Sequence, residues 1–217
     1  MGKRPSSASE WTLTHRPGGE VRGLRGGWEA GGVSDLIETE RLTLRPFRVD
    51  HEPDVEAVYE IHSDLEIVRW LDNPPFVLMA DHEEARAWID RRAQIEAEDF
   101  RQLQRAIEVT ETGETVGQVG IQRLVRQDGG FVGEYEIGWR LRPGATGSGY
   151  ATEAAQALAL AAFAIGLDEL AILMYPDNAP SAAVARRLGA EELGVQADPW
   201  YGGDSLMFRL RPPRAVS

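Results

Sequence analysis

The stretch that most constrains this fold is a glycine-rich loop between a strand-like run and an apolar helical run. The strand-like run is Tyr135–Leu141, the loop is Gly144–Gly149 with three glycines, and the Ala/Leu-rich run is Ala151–Ala164. Glycines allow tight turns and leave backbone N–H groups unshielded. A following helix adds its own free N–H groups and the positive end of its dipole. The pattern therefore predicts either a plain tight connection or a site for a phosphate group.

The common nucleotide-binding loops do not match this stretch. No Gly-Lys-Ser/Thr closes it, which excludes a Walker loop. A dinucleotide fingerprint needs its glycines early in a parallel βαβ unit, whereas these glycines follow strands that look antiparallel. An anion site here therefore indicates a different phosphate-bearing cofactor.

Composition narrows the class of protein. The chain has 217 residues, 42% of them hydrophobic and 27% charged, as in a soluble protein with one substantial core. No apolar run is long enough for a membrane span, and we expect a cytoplasmic protein. Because there is no cysteine, disulfides, thiolate nucleophiles and cysteine metal sites are excluded. Histidine spacing also predicts no metal.

The net charge of the chain limits which kinds of partner it can bind. The formal net charge of −12 argues against a nucleic-acid partner. An acidic surface could attract a cationic amine substrate, or it could serve solubility alone.

The order of the elements predicts one domain at residues 35–217. Residues 1–34 show no apolar periodicity and are expected to be a disordered tail, with Val33 as an alternative translation start. Beyond the glycine loop and its flanks, strands are predicted at 41–45, 104–109, 114–124, 170–174 and 205–210. Two earlier helices are predicted, one capped by Asp50 and running through Ile61, the other capped by Asp81 and running through Ile95. A short helix is expected at about 181–188.

Several of these stretches resemble one known family. Glu136–Leu141, Pro143 and Gly147–Ala154 are similar to the acetyl-CoA-binding motif of the GNAT superfamily of N-acetyltransferases. The resemblance is to its RimJ/RimL-like branch of ribosomal-protein N-terminal acetyltransferases. It extends in the family's order over further stretches, which are Glu40–Pro46, Asn178–Ser181, Leu188-Gly189 and Asp204–Leu210.

The resemblance implies a fold and an activity. The fold would be a single α/β (α+β) GNAT-like domain, whose mixed, mainly antiparallel sheet splays at the cofactor site and carries helices on both faces. The activity would be acetyl transfer from acetyl-CoA to a primary amine, either a protein N-terminus or a small molecule, by a monomer or homodimer. Direct attack is expected because no cysteine can form an acetyl-enzyme. The alternative is a non-catalytic acyl-CoA-binding regulatory module.

The resemblance also implies the cofactor contacts. Pantetheine would lie along exposed backbone of one strand, and the pyrophosphate would lie over the glycine loop. The implied cofactor-binding residues are Trp139, Arg140, Leu141, Gly144, Ala145, Thr146, Gly147, Ser148, Gly149, Tyr150, Ala151, Asn178 and Ser181.

Three residues are candidates for the chemistry. Glu136 is either the base that deprotonates the amine or a strand carboxylate in a structural bond. The backbone N–H of Leu141 is the candidate donor to the thioester oxygen. Ser181 is either a proton donor to the leaving thiolate or, with Asn178, part of a helix cap.

Some positions depart from the family pattern. Gly144 stands where the family usually has Arg or Gln, and Thr146 replaces a common aromatic residue. Ala185 stands where many members place a tyrosine acid, and Tyr175 and Tyr201 are substitutes that the sequence does not rank. Early aromatic residues are expected to be core residues or to shape a substrate pocket; they are Trp70, Phe76 and Trp88.

Overall fold

The computed structural model describes residues 36–71 and 75–213. Predictions for the 1–34 tail and the Val33 start lie outside these residues. Thirteen elements follow in chain order: β1 (Ile37–Glu38), β2 (Leu42–Arg45), α1 (Glu52–Ser63), α2 (Leu65–Val68), α3 (His82–Glu98), β3 (Gln104–Val109), β4 (Glu114–Arg123), β5 (Tyr135–Leu141), α4 (Tyr150–Ala164), β6 (Leu170–Met174), α5 (Ala179–Arg187), β7 (Glu191–Ala197) and β8 (Asp204–Leu210).

The eight strands form one open sheet in the order β1-β2-β3-β4-β5-β6-β8-β7. Within the described residues, β5 and β6 are the one parallel pair, and all other neighbours are antiparallel. This confirms the mixed, mainly antiparallel sheet. Parallel pairing requires a crossover, and α4 supplies it.

The sheet parts between its two central strands. β5 and β6 share a single registered pair, Glu136 with Ala171. Beyond it, β6 keeps full pairing with β8, from Leu170–Leu210 to Met174–Leu206. The edge of β5 after Glu136 therefore faces a gap, as the predicted splay requires.

Helices cover both faces of the sheet. Leu158 and the buried alanines of α4 pack in the main core with Val119 of β4 and Ile137 of β5. Gln118, the neighbour of Val119, instead contacts His62 of α1, so α1 lies on the opposite face. There α1 and α3 share a smaller core, formed by Val55, Val58, Ala85 and Ile89. No helix in the described ranges is long and apolar enough to cross a bilayer.

A buried ion pair joins α1 to the sheet. Asp54 is fully buried and accepts hydrogen bonds from both terminal nitrogens of Arg45, at 2.6 and 2.7 Å. Thr115 of β4 donates a further bond at 2.9 Å. Burial alone would raise the pKa of Asp54, but the bonds from Arg45 and the Arg48 amide, with the Arg45 charge, outweigh it and hold this pKa at about 2.

Two strands and one helix start differ from the sequence predictions. β1 and β7 were not predicted, because β1 has two residues and β7 is a mostly exposed strand without apolar alternation. A bulge at Gly194, whose φ is 82°, interrupts its pairing with β8. α5 begins at Ala179 rather than near Ser181, because Asn178 caps it.

The ion pair predicts a large loss of stability in Asp54→Asn. Among the described residues, the substitution leaves Glu108 as the one carboxylate bonded to the buried Arg45 guanidinium, and removing one member of a buried pair costs about 3–5 kcal/mol. Urea unfolding at neutral pH measures the free energy of unfolding. Glu111→Gln is the control, because Glu111 is exposed in a turn and should change that free energy by less than about 0.5 kcal/mol. Equal free energies for the two variants would contradict the role of the pair.

Candidate active site

The backbone register of β5 decides which of its groups face the gap. The Arg142 N–H donates to the Val116 carbonyl, and the Glu134 carbonyl accepts from the Leu124 N–H. Both are backbone bonds of 2.9 Å across the β4–β5 ladder. Backbone groups of a strand alternate between its two edges. The even-numbered residues of β5 therefore bond to β4, and the N–H and C=O groups of Trp139 and Leu141 face the gap.

Arg140 takes a different place from its two neighbours. Its backbone pairs with Gln118 of β4, so the exposed backbone expected at this position belongs to Trp139 and Leu141 instead. The residue still lines the groove beside the gap. Arg140 therefore offers that groove its side chain.

The close approach of β4 at this point requires a glycine. A Cβ on Gly117 would lie 2.4 Å from the Arg140 carbonyl oxygen and 2.7 Å from Cδ2 of Leu141. Any side chain at Gly117 would therefore push against the end of β5 that carries the free Leu141 N–H.

The glycine loop holds an array of free backbone donors. Gly144, Gly147 and Gly149 all have φ between 84° and 87°, a conformation that other residues adopt only with strain. Gly149 is the N-cap of α4 and supplies no side-chain cap. From Thr146 to Thr152, no N–H group donates to an acceptor in the described parts of the chain. Such an array beside a helix N-terminus is an anion-binding arrangement.

Contacts from the start of the domain hold this loop. Arg41 donates to Glu153 of α4 at 2.7 Å and to the Ser148 carbonyl at 2.9 Å, and its guanidinium lies 5.1 Å from the Tyr150 ring centroid. Thr39 donates to the same Glu153 carboxylate at 2.6 Å. The loop and the first turn of α4 are thus tied to the β1–β2 turn, which the sequence patterns did not reveal.

The groove joins the loop, the gap and the opposite face of β5. It is open, with a volume of about 1430 Å³. Most predicted cofactor residues line it: Trp139, Arg140, Leu141, Thr146, Gly147, Ser148, Gly149, Ala151, Asn178 and Ser181. Three of them are not among its lining residues: Gly144, Ala145 and Tyr150. Ala145 and Tyr150 pack instead against the main core.

Asn178 and Ser181 form the cap of α5 at the far wall of the gap. The Asn178 side chain is buried and accepts a bond from the Ser181 N–H at 3.2 Å. This accounts for the capping part of their pattern. The half-buried Ser181 also faces the groove, where its hydroxyl can reach a ligand.

Glu136 lies at the point where β5 and β6 part. Tyr201 donates to its carboxylate at 2.5 Å, and Gln122 of β4 donates to the same oxygen. Burial raises the pKa of Glu136, with a smaller contribution from the charge of Asp198; the two hydrogen bonds and the charge of Arg140 act in the opposite direction. A carboxylate with a raised pKa beside an open groove is suited to accept a proton.

The loop between β7 and β8 delivers Tyr201 to Glu136. Asp198 is buried and accepts from the N–H groups of Trp200 and Tyr201, at 2.8 and 2.9 Å. Ser205 donates to its other oxygen at 2.6 Å. Sequence reasoning left Tyr201 unranked and missed Asp198. The sequence signal for Asp198 was the turn-forming run Asp198-Pro199 before Gly202-Gly203, which indicates a tight loop.

The early aromatic residues separate into two places. Trp70 lines the groove, where its ring centroid lies 6.3 Å from that of Tyr175. Trp88 packs against the smaller core, 5.8 Å from the Phe47 ring. Phe76 is half-buried and is not a lining residue of the groove. Of the three, Trp70 alone is placed to contact a ligand there.

Comparison with known proteins identifies related sequences and folds. The model of the acetyltransferase (GNAT) domain family matches residues 41–191. An uncharacterized N-acetyltransferase of Bacillus subtilis, YnaD, is 29% identical over 73% of this chain and 84% of its own. An acetyltransferase structure from Agrobacterium tumefaciens is 30% identical over 86% of this chain and all of its own, with a TM-score of 0.62. Mycobacterium smegmatis RimJ, solved with CoA-disulfide, is 25% identical over 82% of this chain and 86% of its own, with a TM-score of 0.60.

The hydrogen bond from Tyr201 predicts the effect of Tyr201→Phe on Glu136. The bond stabilises the charged carboxylate, so its loss raises the pKa of Glu136 further and keeps the carboxyl protonated to higher pH. Carbon NMR titration of the side-chain carboxyl measures this pKa, with the resonance assigned by its loss in Glu136→Gln. Tyr59→Phe is the control, since that ring stacks on His82, away from the groove. An unchanged or lower midpoint in Tyr201→Phe would refute the arrangement.

Proposed function

The chain belongs to the acetyltransferase (GNAT) family, and from that premise we propose that it acetylates a primary amine by direct attack on the thioester of acetyl-CoA. The enzyme is an acetyl-CoA-dependent N-acetyltransferase. The amine acceptor, the mechanism and the residue roles are the proposal. The observation that carries the proposal is that three features line one groove. They are the free N–H groups of the glycine loop, the unpaired edge of β5, and the Glu136 carboxylate, whose pKa is raised, on the adjoining face of that strand.

The cofactor residues fit the charge and shape of acetyl-CoA. The free N–H groups from Thr146 to Thr152 would hold the pyrophosphate, because they are unshielded and stand at the positive end of α4. The backbone groups of Trp139 and Leu141 would bind the pantetheine amides in place of the missing β6 partner. Asn178 and Ser181 would form the far wall of this channel.

Glu136 is assigned the role of general base. An unperturbed amine is mostly protonated at neutral pH and must lose a proton before it can attack. Burial raises the pKa of Glu136, which brings its basicity closer to that of the amine while the hydrogen bonds from Tyr201 and Gln122 keep the carboxylate oriented. Glu136 takes this proton directly or through one water.

The remaining steps need a hydrogen-bond donor to the thioester oxygen and an acid that protonates the leaving thiolate. As the amine nitrogen bonds to the thioester carbon, negative charge grows on the thioester oxygen, and the Leu141 N–H stabilises it. The C–S bond then breaks and the thiolate leaves. The nitrogen, positively charged after its attack, loses its second proton, which passes through water to restore the Ser181 hydroxyl once that group has protonated the thiolate. Ser181 is assigned as the proton donor to that thiolate, from its half-buried place in the groove. Ala185 is buried, and no tyrosine acid stands at that position.

Calorimetric titration with acetyl-CoA and desulfo-CoA, followed by a thiol-release screen over amines, tests the proposed function. The screen contains peptide N-termini, amino acids, aminoglycosides and polyamines. Binding with thiol release on one amine class supports the proposal. Binding without release on any class would favour a non-catalytic acyl-CoA-binding regulatory module, and absence of binding would refute the assigned cofactor site.

The proposed base predicts a selective defect in Glu136→Gln. The kcat/KM for the amine should fall by about 10²–10⁴-fold, because the amine loses its proton acceptor, while the Kd for acetyl-CoA stays the same. Stopped-flow thiol release and calorimetry measure the two quantities. Glu98→Gln, an exposed carboxylate at the end of α3, is the control and should match wild type. Full activity in Glu136→Gln would exclude it as the base.

The close approach at Gly117 predicts a second kind of defect. In Gly117→Ala the new methyl group displaces the Arg140 carbonyl and the end of β5, which moves the Leu141 N–H from its place. We expect kcat to fall by roughly 10²-fold through misplacement of this donor. Gly130→Ala, just after the exposed turn at 127–129, is the control, since its Cβ would meet only the Asp128 side chain. A normal kcat in a folded Gly117→Ala enzyme would remove Leu141 from the mechanism.

A further inference from the structure

The face of β5 opposite α4 has an open hollow at its centre. Glu136, Gly138 and Arg140 share this face because side chains alternate along a strand. Gly138 is exposed, and a Cβ there would meet nothing within 4 Å. On β4, Gly120 lies opposite Gly138 and is covered by the Gln104 side chain. The space over Gly138, here called the Gly138 hollow, is bounded by a carboxylate at one end and a guanidinium at the other.

Within residues 36–71 and 75–213, no carboxylate bonds to the guanidinium at the other end of this hollow. In the described residues, the Arg140 side chain makes neither an ion pair nor a hydrogen bond. Arg142, two residues further along the same face, is held by both oxygens of Glu60, at 2.5 and 2.9 Å. Glu136 is bonded by Gln122 and Tyr201 and not by Arg140. A partly buried charge without a partner is costly to keep, which favours a partner from outside the chain.

A second arginine strengthens the positive charge at this end. Arg92 of α3 lies 5.2 Å from the Trp88 ring centroid and has no carboxylate partner in the described residues. Burial and the charges of Arg140 and Arg92 lower the pKa of His62 to about 4, so this histidine is neutral at physiological pH. Gln118, which faces Arg140 across the ladder, bonds to His62 and is uncharged. Among the described residues around Arg140, Glu136 offsets part of its charge through space, but no carboxylate bonds to the guanidinium.

We propose that the acceptor amine carries an oxyanion in the same molecule, a carboxylate or phosphate, and that Arg140 binds this anion while the amine lies at Glu136 across the Gly138 hollow. This rests on the proposed function and names its substrate class. A planar guanidinium binds a carboxylate or phosphate through two hydrogen bonds. The strand carries the two charged residues four positions apart, about 13 Å of backbone, and both line the groove on either side of Gly138. Polyamines and other amines without an anion lack this second contact.

The first test compares matched acceptors with the full-length enzyme. Alanylalanine and its C-terminal amide differ only in the carboxylate, Asp-Ala amide and Asn-Ala amide differ in a side-chain carboxylate, and putrescine carries no anion. We expect the anionic member of the favoured pair to have at least tenfold higher kcat/KM. In Arg140→Gln this preference should fall to about one through a higher KM for the anionic acceptor. Loss of the Arg140 charge also raises the pKa of Glu136, an effect that acts alike on both members of a pair and cancels in their ratio. The pairs distinguish a terminal carboxylate from an acidic side chain.

Two controls distinguish a specific loss of anion preference from a general loss of activity or stability. Arg123→Gln removes an exposed guanidinium that stacks on Phe131, away from the groove, and should keep the wild-type preference. The unfolding temperature of Arg140→Gln should not fall below that of wild type, because the substitution removes a partly buried charge that no carboxylate bonds, and the Kd for acetyl-CoA should be unchanged. The proposal is overturned if the best acceptor from the amine screen has no anion, or if Arg140→Gln lowers kcat/KM equally for both members of a pair.

Failure of the proposed function gives a different result. If no amine releases thiol although acetyl-CoA binds, acetyl transfer to small amines is refuted. The Arg140 contact is then judged by calorimetric titration of the same carboxylate and amide pairs into the CoA-bound protein. Tighter binding of the carboxylate that Arg140→Gln abolishes would support the contact, and equal binding of both members would overturn it.

Discussion

The parting of β5 from β6 is the constraint on which the groove depends. One registered pair, Glu136 with Ala171, joins the two strands before they separate. Unpaired backbone groups in the middle of a sheet are costly unless a ligand or water satisfies them. The fold holds this gap open from both sides, since β4 fixes β5 through a continuous ladder and β8 fixes β6 in the same way. The rigid flanks keep the free edge of β5 from collapsing onto its neighbour.

In the proposed mechanism the same strand would serve two ligands, because its backbone and side-chain groups alternate in direction. In-plane backbone groups of Trp139 and Leu141 face the gap, while the side chains of Glu136 and Arg140 stand on the face opposite α4. The cofactor and the acceptor would therefore meet at one strand from different directions. β5 needs no bulge for this, since its register with β4 is regular from Tyr135 to Leu141. Gly117 and Gly138 provide the space, the first for the approach of two strands and the second for a ligand.

Sequence patterns located the parts of the site whose signals are local. Gly147 and Gly149 were recognisable from strand, loop and helix order, and Asn178 from its position before Pro180 at a helix start. The predicted strands that bracket the hairpin turn at 110–113 were also found, because alternation and turn residues act over a few positions. β7 lacked that alternation. Its strand conformation comes from pairing with β8, a tertiary effect that local preference does not encode.

Contacts between distant segments were beyond such patterns. Tyr201 meets Glu136 across 65 residues of sequence, and Arg41 meets Glu153 across 112. Each pair joins residue types that are common on protein surfaces, so nothing in the local sequence distinguishes them. Arg140 was expected to contribute its backbone, since the sequence did not reveal which edge of the strand its N–H would occupy. The even-numbered residues of β5 bond to β4, and this register decides that the Arg140 N–H faces β4.

The tie between Arg41 and the glycine loop has a thermodynamic consequence. The donor array lies in the second half of the chain, but its shape is held by residues at the beginning of the described domain. A ligand that binds the ordered loop binds the protein only when β1 and β2 are packed in place. By mass action, its binding therefore also stabilises the N-terminal edge of the sheet. Occupancy of the loop and docking of that edge are reciprocal. Cofactor bound at the loop as proposed would thus protect the first strands of the domain from local unfolding, although no atom of the ligand has to touch them.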